Sequence, residues 1–168
     1  YSPYSLGQYT KSNEYASLFS QNLNTVVQRV SYPALCSIKD DKERLIVGYR
    51  QIAKITMFIS SISMLMMAAV SGPLLYCLIG PQWSEAATYM PYLCMSMSLY
   101  PLHSLNLNLL QVDGRSDLFL YLDIIKKIIG IPAILVGIFV SIRWMLITSI
   151  ITSVLCFWLN SYYTGKSF

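Results

Sequence analysis

Hydrophobic positions run through this chain in long unbroken stretches rather than in the short alternation of a half-exposed strand. No Asp, Glu, Lys or Arg occurs over 55–84, 86–112, 128–142 or 144–165. A helix crossing a bilayer core about 30 Å thick needs about 20 predominantly apolar residues. The pattern therefore predicts an all-α integral membrane chain of five helices, at about 14–35, 52–71, 87–111, 118–140 and 144–163. Gly72-Pro73 closes the second helix, and a short apolar piece runs on to 79. Between the helices lie a charged cytoplasmic loop at 36–51, an outer loop at 80–86 and a cytoplasmic turn at 112–117, so that 1–168 forms a single transmembrane region.

Composition narrows the class further. The 168 residues are 55% hydrophobic and 12% charged, where a soluble domain carries about 25% charged residues. A mean hydropathy of +0.50 excludes a soluble globule, a disordered chain and a nucleic-acid-binding domain. The net charge of +4 is modest, and its distribution matters more than its size. Lys39, Lys42, Arg44, Arg50 and Lys54 follow the first helix, Arg115, Lys126 and Lys127 flank the start of the fourth, and Lys166 follows the fifth. The opposite side holds only Lys11 and Arg143. Basic loops stay in the cytoplasm, so the chain is expected to begin outside and end inside. Tyr76, Trp83, Tyr89 and Trp144 fall at the outer boundary and Trp158, Tyr162 and Tyr163 at the inner one, the interfacial preference of such rings.

Polar groups at membrane depth are where function should show. In the first helix Gln21, Asn24, Thr25, Gln28 and Arg29 form a polar stripe beside Leu18, Phe19, Leu23, Val26, Val27 and Val30. The stripe reads as the lining of a wet cavity, with a helix lying in the interface as the alternative. Arg29 stands ten residues before Lys39, about 15 Å of helix. A cation at mid-bilayer costs about 2.5–3.5 kcal/mol and needs a partner, water or an anion, unless the helix ends early at Pro33 and Arg29 reaches the surface. Lys126 and Lys127 lie about 12–14 Å into the fourth helix, with Asp123 one turn earlier as a partner for Lys127. Adjacent lysines cannot share a face, so one is expected to point into the bundle unless both snorkel to water. His103, Asn106, Asn108 and Gln111 crowd the inner half of the third helix, His103 as a proton relay or as a hydrogen-bonded packing residue. Pro91, Pro101 and Pro132 each remove a backbone hydrogen bond, which a wet cavity or a neighbouring helix must replace.

Catalytic chemistry is missing. The sequence has no Ser-His-Asp set, no paired carboxylates at depth, no phosphate-cradling Gly loop and no metal cluster, so no enzyme activity, metal or cofactor is expected. Cys36, Cys77, Cys94 and Cys156 stand apart without a CxxC pair and read as small hydrophobes. The chain starts at Tyr1 with no basic-then-apolar leader and reads as a piece of a longer protein.

Several motifs carry a family resemblance. Leu6-Gly-Gln-Tyr9 and Tyr32-Pro-Ala-Leu35 bracket the first helix, followed by Asp40-Asp-Lys-Glu-Arg-Leu45, Tyr49-Arg50, Gly72-Pro-Leu-Leu75 and Leu78-Ile-Gly80 with Trp83. The most specific run is Tyr100-Pro-Leu-His-Ser-Leu-Asn-Leu-Asn-Leu-Leu-Gln111, then Gly114-Arg-Ser-Asp-Leu-Phe-Leu120, Asp123-Ile-Ile-Lys-Lys127 and Asn160-Ser-Tyr-Tyr-Thr-Gly-Lys166. Together they resemble polysaccharide flippases of the multidrug/oligosaccharidyl-lipid/polysaccharide exporter superfamily, in the lipopolysaccharide/O-antigen branch. The resemblance implies most of the C-terminal lobe of a flippase of a dozen or more helices. It also implies flipping of an undecaprenyl-diphosphate-linked oligosaccharide from the cytoplasmic to the outer leaflet. Arg29, Lys126 and Lys127 are then candidate phosphate contacts, Gln21, Asn24 and Gln28 candidate sugar contacts, and Asp123, His103 and Asn106 candidate orienting or coupling groups. Implied partners are the lipid-linked oligosaccharide, membrane lipid, the N-terminal lobe of the same protein, and polysaccharide polymerase and chain-length proteins; a coupling proton or sodium ion stays open. The alternatives are an ion-coupled exporter of small amphipathic molecules on the same fold, a non-transporting structural subunit of an envelope polysaccharide complex, and an integral-membrane glycan enzyme.

Overall fold

The computed structural model describes residues 3–112, 114, 116–139 and 141–167, and within them the side chains of all but 116, 118–119, 133–139 and 162–167. The described residues form six α-helices and one 3-10 turn: α1 (Pro3–Cys36), α2 (Lys42–Ile79), the turn Pro81–Trp83, α3 (Ser84–Met97), α4 (Tyr100–Val112), α5 (Ser116–Phe139) and α6 (Ile142–Ser167). They make five passes, because α3 and α4 are two halves of one path.

The helix bounds differ from the expected ones for local reasons. Helix α2 begins at Lys42, ten residues before the expected 52, and the loop 36–51 shortens to 37–41. Asp41 caps it: the backbone is extended there (φ −112°, ψ 101°) and the carboxylate accepts from the Arg44 N–H at 3.1 Å. An acceptor at the N-cap and Glu43 in the first turn both suit the positive end of the helix dipole. Charged residues thus extend the helix into water rather than marking a loop. The same helix runs straight through Gly72-Pro73, since an internal proline removes one backbone bond and only bends a helix held by its neighbours. It stops at Gly80 (φ 93°), whose N–H reaches the Tyr76 carbonyl at 3.2 Å. Pro33 likewise fails to end α1; the chain stays helical to Cys36, and the Ser37 N–H bonds the Pro33 carbonyl at 3.0 Å. The expected third helix, 87–111, is instead split at Ser98–Leu99, three residues before Pro101.

Tertiary contacts order the ends. Tyr4 Oη and Gln8 Nε2 donate to the Gln82 carbonyl at 3.3 and 2.8 Å, and Gln8 Oε1 accepts from the Ala86 N–H at 3.0 Å. The start of α1 therefore lies beside the 80–86 connection. Ile142 and Leu146 join Ala16, Met64, Leu75, Ala86, Met90, Leu93 and Cys94 in one buried cluster there, which brings Arg143 to the same end. A second cluster of Leu35, Leu45, Leu105 and Leu109 sits at the other end, beside the charged segment 39–44. Arg115 falls outside the described residues, as do the side chains of Tyr162, Tyr163 and Lys166. Helices α1, α3–α4 and α6 run one way and α2 and α5 the other.

Helix α3 packs against α1, α2 and α6, and α4 against α1, α2, α5 and α6. The α1 face turned to them carries Gln8, Ser12, Ala16, Ser20, Ser31 and Leu35, all buried, with half-buried Asn24 and Gln28 between, at four-residue steps except for the three from Gln28 to Ser31. Small side chains let helix backbones approach, the usual packing of helices in lipid. Outward, α2 exposes Ile55, Phe58, Ile59, Ile62, Leu65 and Met66, and α6 exposes Ile147, Ile151, Val154 and Leu155. Helices Lys42–Ile79 and Ile142–Ser161 are long and apolar enough to cross a membrane. With 38 residues, about 57 Å at 1.5 Å per residue, α2 exceeds the hydrocarbon layer, and its charged first third projects beyond it.

Candidate functional site

The break between α3 and α4 is built from the sequence outward. Pro101 has no N–H for the Met97 carbonyl, and the Leu102 N–H turns to Leu99 O at 3.1 Å instead of Ser98 O. Three serines from three other helices take up the carbonyls around the break. Ser153 Oγ (α6) donates to Ser96 O at 2.7 Å, Ser20 Oγ (α1) to Met97 O at 3.3 Å, and Ser60 Oγ (α2) to Ser98 O. An unpaired buried carbonyl costs about 1–3 kcal/mol, so the serines decide where the path can break.

Beside this break a cavity of about 450 Å³ opens between α3–α4, α5 and α6. It reaches along α6 from Met145 to Cys156, about 16 Å at 1.5 Å per residue. Ser96, Tyr100, His103 and Ser104 form one wall, Ser149, Thr152 and Ser153 another, and Asp123, Lys126 and Gly130 the third. Lys126 is half-buried, and its Nζ is fully enclosed without a hydrogen-bond partner. Its neighbour Lys127 points the other way: exposed, it pairs with Asp123 at 3.1 Å, one helical turn back. Asp123 lines the cavity too, with its carboxylate paired to Lys127, and Lys126 is the cavity's one enclosed cation among the described residues, facing hydroxyl and apolar side chains together. Lys126 lies ten residues into α5, about 15 Å from its start and half the thickness of a bilayer core.

The remaining candidates separate. The polar stripe of α1 divides: Asn24 and Gln28 turn inward, while Gln21, Thr25 and Arg29 are exposed on the outer face. Gln28 Nε2 donates to Ser104 Oγ, a cavity-wall residue; Asn24 Oδ1 is buried without a partner. Arg29 does not join the cavity. Asn106 is 1% exposed and faces α2, where its Oδ1 accepts from Tyr49 Oη. His103 lines the cavity and lies 3.4 Å through Nδ1 from Asn160 Nδ2. Sequence reading missed the α6 wall. Its signal was there: Ser149, Thr152, Ser153, Cys156 and Asn160 recur at three- and four-residue steps inside an otherwise apolar helix.

Comparison with known proteins places these features in a group. Residues 1–88, a little over half of the chain, match the family described as polysaccharide biosynthesis protein. The chain is 26% identical over 131 residues to the lipopolysaccharide biosynthesis protein WzxC of Escherichia coli, covering 78% of this chain and 27% of that protein. It is 24% identical over 129 residues to an "uncharacterized membrane protein in cps region" of Klebsiella pneumoniae, covering 77% of this chain and 27% of the relative. The chain thus spans about a quarter of the length of these relatives. No solved structure matches it. A helical membrane bundle with a broken helix beside a polar cavity, and a family match over its first two helices and the start of α3, make this chain a member of the polysaccharide biosynthesis protein family.

Proposed function

We propose that this chain forms part of a transporter, not an enzyme, that flips an undecaprenyl-diphosphate-linked oligosaccharide across the bacterial inner membrane, with the segment 39–44 in the cytoplasm. The observation that carries this reading is the enclosed, unpartnered Lys126 ammonium in a hydroxyl-lined cavity. Family membership and the lipopolysaccharide biosynthesis relative support it. A buried lysine costs about 2.5–3.5 kcal/mol at mid-bilayer, and a phosphate would offset that cost with a charge-assisted hydrogen bond. The cavity volume of about 450 Å³ falls in the range that takes one drug-sized ligand, about 300–1,000 Å³. It has room for a diphosphate and a first sugar, and the rest of a repeat unit must lie outside it.

Lys126→Met tests this, because it removes the charge while keeping the length of the side chain. In a flippase-deficient strain carrying the native-length protein, surface glycan should fall at least tenfold while membrane abundance holds or rises, since an uncompensated buried charge is lost. Lys126→Arg should keep part of the export, as the positive charge remains. Normal glycan from Lys126→Met at normal abundance would overturn the assignment.

A further inference from the structure

A second groove, of about 280 Å³, lies on the α2 side of the α3–α4 break. Met64 and Leu65 of α2 form one wall and Ile150 and Val154 of α6 the other, with buried Cys94 of α3 between them. Both walls run on toward the end of the bundle that holds the segment 39–44. On α2, Leu65, Ser61, Phe58, Lys54 and Arg50 follow at steps of four, three, four and four residues, the spacing of one helix face. On α6, exposed Trp158 follows Val154 after four residues. The neighbouring face of α2 is turned into the bundle, where Tyr49 Oη donates to Asn106 Oδ1 and Ser60 Oγ to Ser98 O. Arg50 and Lys54 are left outside: both are exposed, and neither has an ion pair among the described residues.

Two cations one helical turn apart repel each other, and an anion between them removes that cost. They also stand where the uncharged run of α2 begins, at Ile55, which is the level of lipid headgroups. Ser61, where the groove opens, is seven residues beyond Lys54, about 10.5 Å deeper along the helix. We infer that Arg50 and Lys54 hold the phosphate of an anionic glycerophospholipid, one acyl chain of which passes Phe58 and fills the groove between α2 and α6. Unpaired positive charge selects an anionic headgroup over a zwitterionic one, and the apolar walls select a lipid over free phosphate. Large exposed side chains rim the groove (Phe58, Leu65, Met95 and Val154), where a seam for another helix would carry small ones. Under the proposed topology this is the cytoplasmic leaflet, whose anionic lipids attract basic residues. The chain lies against Ser98 and Leu99, so the lipid braces the break. The inference is independent of the transport reading, because the groove and the Lys126 cavity share no lining residue among those described.

The test is native mass spectrometry of the native-length protein in detergent, titrated with phosphatidylglycerol or with phosphatidylcholine of the same chain length. Phosphatidylglycerol should bind more tightly, and it should raise the thermal midpoint where phosphatidylcholine does not. Arg50→Gln with Lys54→Gln should weaken that binding about fivefold for each charge removed. Lys39→Gln with Lys42→Gln takes the same charge from the same end of the molecule and should leave binding unchanged. Equal losses in the two pairs would overturn the inference, because they would report attraction to net charge and not to a site. Val154→Trp, at an exposed position, fills the groove without altering charge. It should weaken long-chain phosphatidylglycerol and leave the weaker binding of the dihexanoyl lipid as it was. Normal long-chain binding in Val154→Trp, or displacement of the lipid by an equal concentration of inorganic phosphate, would show that the groove holds no chain. Equal affinity for the two headgroups overturns the inference as well, as does a bare protein whose remaining helices cover this face.

Discussion

At the scale of single residues, two adjacent lysines have opposite fates. Lys127 is 78% exposed and bonds Asp123 at 3.1 Å, at the same depth as Lys126, so its loss leaves a carboxylate without its partner outside water. Lys127→Ala should therefore lower the thermal midpoint of the detergent-solubilised protein and its membrane abundance together, while export per molecule stays near normal, in contrast to Lys126→Met. Equal loss from both would show that the enclosed position of Lys126 is irrelevant. Gly80 offers a backbone test. Its φ of 93° is a conformation L side chains avoid, and a Cβ there would meet Gln82 Oε1 at 2.8 Å. Gly80→Ala should cost about 1–2 kcal/mol, read as reduced thermal stability. That glycine follows Leu78-Ile in the sequence, but its positive φ was not legible there, because any helix end or loop can hold a glycine.

At the scale of elements, the expected loop 36–51 is helical from Lys42 on, because membrane patterning separates apolar from polar without separating helix from coil in water. Asp41, accepting from Arg44 N–H at 3.1 Å, is the residue that resolves it. Asp41→Ala should cost about 0.5–2 kcal/mol and speed amide hydrogen exchange over the first turn of α2, leaving 55–79 protected. The α3–α4 break invites a paired experiment. Ser20 Oγ supports the Met97 carbonyl at 3.3 Å, the one that Pro101 leaves without an N–H. Ser20→Ala should destabilise by about 1–3 kcal/mol in the native background and by clearly less when Pro101→Ala restores the missing donor. Additive losses in that double-mutant cycle would show that the hydroxyl does not act through the break.

At the scale of the whole molecule, the arrangement of ends is open to chemical labelling. In a background with the native cysteines replaced by serine, Lys39→Cys and Ser84→Cys place thiols at opposite ends of α2, a helix of 38 residues. A membrane-impermeant maleimide applied to intact spheroplasts should label position 84 and leave position 39 untouched until the membrane is opened. Labelling of both from outside would overturn the proposed topology.

The sequence alone determined the membrane class, the number of passes and the separation of the charged segment from the Trp83 end, because these follow from runs of residues that lipid and water sort without reference to any neighbour. It also separated Lys126 from Lys127, since two consecutive side chains on a helix diverge by about 100°, and left open whether either is enclosed. Which of the two turns inward was decided by where α6 and α4 lie relative to α5. The fate of the α1 stripe was decided in the same way. Gln28 meets α4 at Ser104 and Asn24 is half-buried, while Arg29, one position after Gln28, is exposed, a rotation that no periodicity within α1 specifies. The site depended most on tertiary structure. Ser153, His103 and Asn160 are remote or unremarkable in sequence, and only the packing of α6 on the broken α3–α4 path joins them, because hydrogen bonds between helices depend on which faces meet.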